Sequence, residues 1–230
     1  MNHFTFQWTI PLAVVTATLA LAAGEPVPTL TRIQSAAVVR GGKTVITLTG
    51  TGLDKVTGFD CSRKDVKLTL LPEETIEKVG PATNQPNTQR MNARVPVTGV
   101  RVQVDVPARA PTGWCDVRAI TVGGASNPRR MLIADGKVSE EVEPNNDPET
   151  AQLLKLGETV SGVLIGSNDV DYFRIEGKRG QKIIAWLGTS STDSKLPGAF
   201  EVFDSQGKMV ASARDKAAED AWADIVLPAD

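Results

Sequence analysis

Short runs of alternating side chains, each closed by a glycine- or proline-bearing turn, constrain this chain more than any other feature. Lys43–Thr49 reads KTVITLT, with Val45 and Thr47 on one face and Thr44, Ile46 and Leu48 on the other. Val66–Leu70, Val100–Val106, Val117–Val122 and Arg130–Ile133 behave similarly. Successive side chains of an extended backbone point in opposite directions, so a period of two over so few residues predicts half-buried strands. Arg101, Gln103 and Asp105 interleave with Val100, Val102, Val104 and Val106, the pattern of a strand with one wet face. Gly41-Gly42, Gly50-Thr51-Gly52, Pro111-Thr112-Gly113 and Gly123-Gly124 supply the turns between runs.

A second series follows: Thr159–Ile165, Asp171–Glu176, Lys182–Leu187, Ala199–Phe203, Lys208–Ala211 and Asp224–Leu227. Asp204-Ser205-Gln206-Gly207, between two such runs, predicts a hairpin turn. The stretch Ala134–Asp147 is acidic and nearly free of large apolar side chains, and it reads as an interdomain linker over residues 136–147. Glu73–Lys78 is expected as a short helix, Thr83–Arg90 as a surface loop, and Pro148–Leu153 as the start of a helical turn. The fold class expected is all-β, two tandem β-sandwich domains over residues 27–135 and 148–230.

Residues 1–23 stand apart. Trp8–Ala23 carries no charge and ends in Ala20-Leu21-Ala22, as the apolar core and cleavage site of a signal peptide do. The competing reading is a retained N-terminal anchor, for which the run is short. Export implies a secreted, periplasmic or cell-surface location. It also implies an oxidising compartment, in which Cys61 and Cys115, the 2 cysteines of the chain, are expected to form a disulfide. Closing that loop stabilises a fold by about 4 kcal/mol in the chain-entropy model. Trp114, beside Cys115, is expected to pack over the bond, and Trp186 and Trp222 are expected as core or half-buried packing.

Composition removes several functions. The single histidine, His3, leaves with the signal peptide, so the mature chain has no Ser-His-Asp or Cys-His arrangement and no histidine zinc site. Ser190 and Ser191 have no base to activate them. The adjacent carboxylates Glu73-Glu74 and Glu140-Glu141 read as solvated charge. A net charge of -2 and the lack of a basic cluster argue against nucleic-acid partners and against membrane contact beyond the signal peptide. The chain is expected not to be an enzyme.

Glu141-Val142-Glu143-Pro144-Asn145-Asn146, Ala151-Gln152, Ser161-Gly162-Val163, Asp169-Val170-Asp171-Tyr172-Phe173-Arg174, Gly180-Gln181 and Val202-Phe203-Asp204-Ser205-Gln206-Gly207 follow one another in a recognisable order. Together they resemble the bacterial pre-peptidase C-terminal (PPC) domain, which implies a jelly-roll-type sandwich. Arg40-Gly41-Gly42, Thr47–Leu53, Val106-Pro107-Ala108, Ala110–Gly113 and Gly123–Asn127 resemble an immunoglobulin-like IPT/TIG-type domain. The tandem order is similar to exported planctomycete-type proteins. The PPC pattern typically continues beyond a segment like Leu227–Asp230, so the expectation is a piece of a longer protein, the alternative being a sandwich incomplete at its C-terminus.

Glu141, Glu143, Asn145 and Asn146 offer hard oxygen donors from an extended run, and Asn168, Asp169 and Asp171 offer more from a turn. Calcium takes six to eight such oxygens. In some collagen-binding members of the resembling family the equivalent segments form a calcium site, which implies these seven residues as candidate ligands. The plain alternative is a solvated acidic linker beside an ordinary turn. The function expected is a non-catalytic exported binding or scaffold module, attached to an unidentified extracellular protein or polymer. The alternative is an appendage that targets a secreted peptidase or assists its folding.

Overall fold

The computed structural model describes residues 25–72, 97–164, 169–216 and 219–228. The signal-peptide reading, the helix expected over Glu73–Lys78 and the loop expected over Thr83–Arg90 lie outside these residues. The described chain is all-β and sandwich-like, and none of its helices is long and apolar enough to cross a membrane.

The first half contributes β1 (Thr29–Gln34), β2 (Ala37–Val39), β3 (Lys43–Thr51), β4 (Val56–Cys61) and β5 (Lys67–Leu70). It continues with β6 (Val97–Asp105), β7 (Gly113–Thr121), β8 (Gly124–Ala125) and β9 (Arg129–Ala134). One sheet runs β1-β3-β6-β5 and the facing sheet runs β2-β9-β7-β4, with β8 paired to β7. Alternation decides what lies between them. Ile46 and Leu48 on β3, Val100, Val102 and Val104 on β6, Val117 and Ala119 on β7, and Met131 and Ile133 on β9 form one buried cluster. Each fully buried side chain of the larger kind stabilises the fold by about 1.5–3 kcal/mol. Val45, on the other face of β3, is exposed.

β1 and β4 are strands that alternation did not announce, and both are irregular. β1 buries Leu30 and Ile33, three residues apart, because its register with β3 shifts between Leu30 and Arg32. β4 shifts against β7 between Val56 and Gly58. A bulge inserts a residue and moves the following side chains to the other face, which erases the period of two. Asn127 closes the sandwich near β1. Its Nδ2 donates to the Leu30 carbonyl and its Oδ1 accepts from the Leu30 N–H, both at 2.9 Å, as a neighbouring strand would.

The second half contributes β10 (Val138–Glu140), a 3-10 turn at Pro148–Thr150, β11 (Gln152–Leu153), β12 (Thr159–Ser161) and β13 (Phe173–Arg174). β14 (Lys182–Leu187), a 3-10 turn at Ser190–Thr192, β15 (Ala199–Phe203), β16 (Met209–Arg214) and β17 (Ala221–Val226) follow. β10 pairs with β12 and β11 with β13, both parallel, while β14–β17 and β15–β16 are antiparallel. The β15–β16 hairpin turns where Asp204-Ser205-Gln206-Gly207 predicts it. Asp204 Oδ1 accepts from the N–H groups of Gln206 and Lys208, both at 2.9 Å, and Gly207 supplies φ 77°.

Within residues 136–147, β10 is paired with β12 and Ser35 Oγ donates to Glu140 Oε1, while the Ala36 N–H donates to Ser161 Oγ at 3.2 Å. Trp186 and Trp222 are cross-strand partners on β14 and β17 and are 43% and 57% exposed, the half-buried form of the packing expected and not full burial. One expectation is corrected: Trp114 does not pack over Cys115. Neighbours on one strand face opposite ways, so Cys115 turns into the core while the Trp114 ring lies 5.8 Å from that of Trp186.

Candidate metal centre

The run Glu141-Val142-Glu143-Pro144-Asn145 leaves β10 and is held against the segment before β13. Glu141 donates its N–H to the Ser161 carbonyl at 3.0 Å, and the Asn145 carbonyl accepts from the Tyr172 N–H at 2.8 Å. The side-chain amide of Gln152 fastens the same run from the side. Its Nε2 donates to the Glu140 carbonyl at 3.2 Å and its Oε1 accepts from the Val142 N–H at 2.8 Å. The Glu143–Pro144 peptide is cis.

These contacts bring Glu141, Glu143 and Asp171 together, each offering a carboxylate oxygen within 4.8 Å of the others. That spread is about twice a calcium–oxygen bond of roughly 2.3–2.6 Å, so one ion can reach all three. Asn145 is fully buried beside them. Its Nδ2 donates to Glu141 Oε1 at 3.0 Å and its N–H to Glu143 Oε2 at 3.1 Å, while its Oδ1 has no hydrogen-bond partner among the described residues. Asp171 Oδ1 is likewise buried without a partner. Buried polar atoms are normally paired, and leaving one unpaired costs about 1–3 kcal/mol. One unpartnered amide oxygen, from Asn145, and three carboxylates, Asp171 Oδ1 among them, are oxygen donors of the kind a hard cation takes.

The electrostatics agree. Among the described residues, no lysine or arginine forms an ion pair with Glu141, Glu143 or Asp171. Burial pushes the Asp171 carboxyl up to about 7, helped by its hydrogen bond with Glu141 and by the negative charges of Glu141, Asp169 and Glu143.

Of the seven ligands expected, Glu141, Glu143, Asn145 and Asp171 converge. Asn146 and Asp169 stand outside the three-carboxylate group. With its amide turned to donate, Asn146 reaches Asp169 Oδ1 at 2.9 Å and the Val170 carbonyl at 3.3 Å, which ties the two segments together. Asn168 lies outside the described residues. Sequence reasoning gave no role to Gly162. A Cβ there would lie 2.7 Å from Glu141 Oε2, the oxygen that accepts from the Val163 N–H at 2.9 Å. The missing side chain is what lets Glu141 settle on the backbone.

Cys61 on β4 and Cys115 on β7 are both buried and both free, so the disulfide expected between them is absent from this structure. The thiols interact directly. The S–H of Cys115 donated to Cys61, aided by the Arg63 backbone N–H, brings the Cys61 thiol down to about 7 against the opposing effect of burial. The same hydrogen bond, with burial, pushes Cys115 up.

No protein-family model matches the chain, and no curated protein matches it.

Proposed function

We propose that this chain is an exported, non-catalytic binding or scaffold module whose second half is organised by a calcium ion. The observation that carries the reading is the fully buried Asn145, whose unpartnered Oδ1 sits beside the joined carboxylates of Glu141, Glu143 and Asp171. Calcium suits them because it takes carboxylate and amide oxygens in flexible geometry. The ion would tie the Glu141–Asn145 run to Asp171, fixing the chain segment that joins the two halves. Export rests on the apolar leader, and the lack of catalysis rests on a mature chain without histidine. A Cys61–Cys115 disulfide, formed after export, belongs to the same proposal. The partner is an extracellular protein or polymer.

The test is calorimetric titration of the chelator-treated full chain with calcium, followed by thermal melting. Saturable heat and a raised Tm, both lost in Glu143→Ala, are expected. Absence of heat and of any change in Tm would refute the calcium site and leave a plain scaffold.

A further inference from the structure

The open, shallow cleft beside β4 and β5 is lined by Phe59, Asp60, Cys61, Arg63, Lys64, Val66, Lys67 and Leu68, and its volume is about 420 Å³. Cys61 is the one thiol on its wall. Cys61 pairs across the sheet with Val117, which puts Cys115, two residues along β7 on the same inward face, diagonally adjacent. Diagonal neighbours on one face lie about 7–8 Å apart, at the limit of what a disulfide spans, so closing the bond takes a small shift of β4 against β7. Cys115 is 1% exposed and does not line the cleft. The cleft wall carries three cationic side chains against one carboxylate. Arg63 is held by Asp65 at 2.8 Å and Lys64 by Asp60 at 3.3 Å, while Lys67 forms no ion pair among the described residues.

We propose that Cys61 is the point of attack at which a small disulfide bearing carboxylates oxidises the Cys61–Cys115 pair. The inference rests on the pairing of these cysteines named above. In the first step the Cys61 thiolate attacks one sulfur of R–S–S–R, forming a mixed disulfide and expelling R–S⁻. In the second, Cys115 gives its proton to solvent and its sulfur attacks Cys61 Sγ, closing the protein disulfide and expelling the second R–S⁻. Two protein thiols are oxidised and one small disulfide is reduced to two thiols. The attacking thiol must be ionised and accessible. The contacts with Cys115 and with the Arg63 backbone favour the thiolate at Cys61, which is 7% exposed and lines the cleft, against 1% for Cys115, which does not.

The experiment uses the reduced full chain with oxidised glutathione, followed by intact-mass and peptide mapping. The wild type is expected to lose both thiols and keep no adduct. Cys115→Ser should retain glutathione on Cys61, and Cys61→Ser should acquire none. Brief alkylation of the reduced wild type, which needs no variant to fold, should label Cys61 about tenfold ahead of Cys115. Cystamine, a cationic disulfide, should react more slowly than oxidised glutathione. A stable adduct on Cys61 in the wild type would overturn the pairing while leaving Cys61 as the attacked thiol. An adduct on Cys61→Ser, equal alkylation of both thiols, or faster reaction with cystamine would overturn the proposal itself.

Discussion

Replacing Asp171 with asparagine should stabilise the calcium-free protein and abolish its response to calcium. Asp171 is crowded by Glu141, Glu143 and Asp169, and its carboxyl is raised from the ordinary 3.8 to about 7. An acid whose folded pKa lies above its unfolded value binds a proton more readily when folded. The folded state is therefore penalised as the pH rises from about 4 through about 7, and the penalty is complete above that window. A tenfold change in proton affinity on folding corresponds to about 1.4 kcal/mol. Asp171 is only partly buried and solvent screens the repulsion, so the penalty discounts to about 1–2 kcal/mol. For a chain of this size that is a rise in Tm of roughly 3–6 °C. The assay is thermal melting of wild type and Asp171→Asn at pH 8 and pH 4, each with chelator and with excess calcium. At pH 8 in chelator the variant should melt higher, and at pH 4 the difference should vanish. Calcium should raise the wild type and leave the variant unmoved. A variant that melts below the wild type in chelator at pH 8 would refute the argument from charge crowding.

Two further outcomes follow from single contacts. Gly162→Ala places a Cβ 2.7 Å from Glu141 Oε2. The carboxylate end is flexible enough to give way, so calcium affinity measured by calorimetry should fall while the chelated Tm changes little. Asn127→Ala removes both 2.9 Å hydrogen bonds to the Leu30 backbone. It should cost about 1–3 kcal/mol in denaturant unfolding, and amide exchange at Leu30 should accelerate.

Much of the candidate site was legible because hard-oxygen residues cluster in the sequence at Glu141–Asn146 and Asn168–Asp171. Which of them meet was not legible. Glu143, Asn145 and Asp171 converge because the Glu141 N–H donates to the Ser161 carbonyl and the Tyr172 N–H to the Asn145 carbonyl, docking one segment on the other, whereas Asn146 turns to Asp169. Gly162 and Gln152 carry no donor pattern of their own, since their part is to leave room for Glu141 and to hold the Val142 backbone.

The sequence by itself determined the all-β class, the inward faces of β3 and β6, and the β15–β16 turn. These depend on local alternation and on the backbone freedom of one glycine, both of which act between near neighbours. Only the tertiary structure decided the rest. Bulges in β1 and β4 broke the period that would have announced them, and three residues of the acidic stretch, Val138–Glu140, found a strand partner in Thr159–Ser161. The tertiary structure also decided which face of β14–β17 is the more exposed: side chains alternate along each strand, so Trp186 and Trp222 share the exposed face as cross-strand partners while Ala221 and Ile225 are buried on the other.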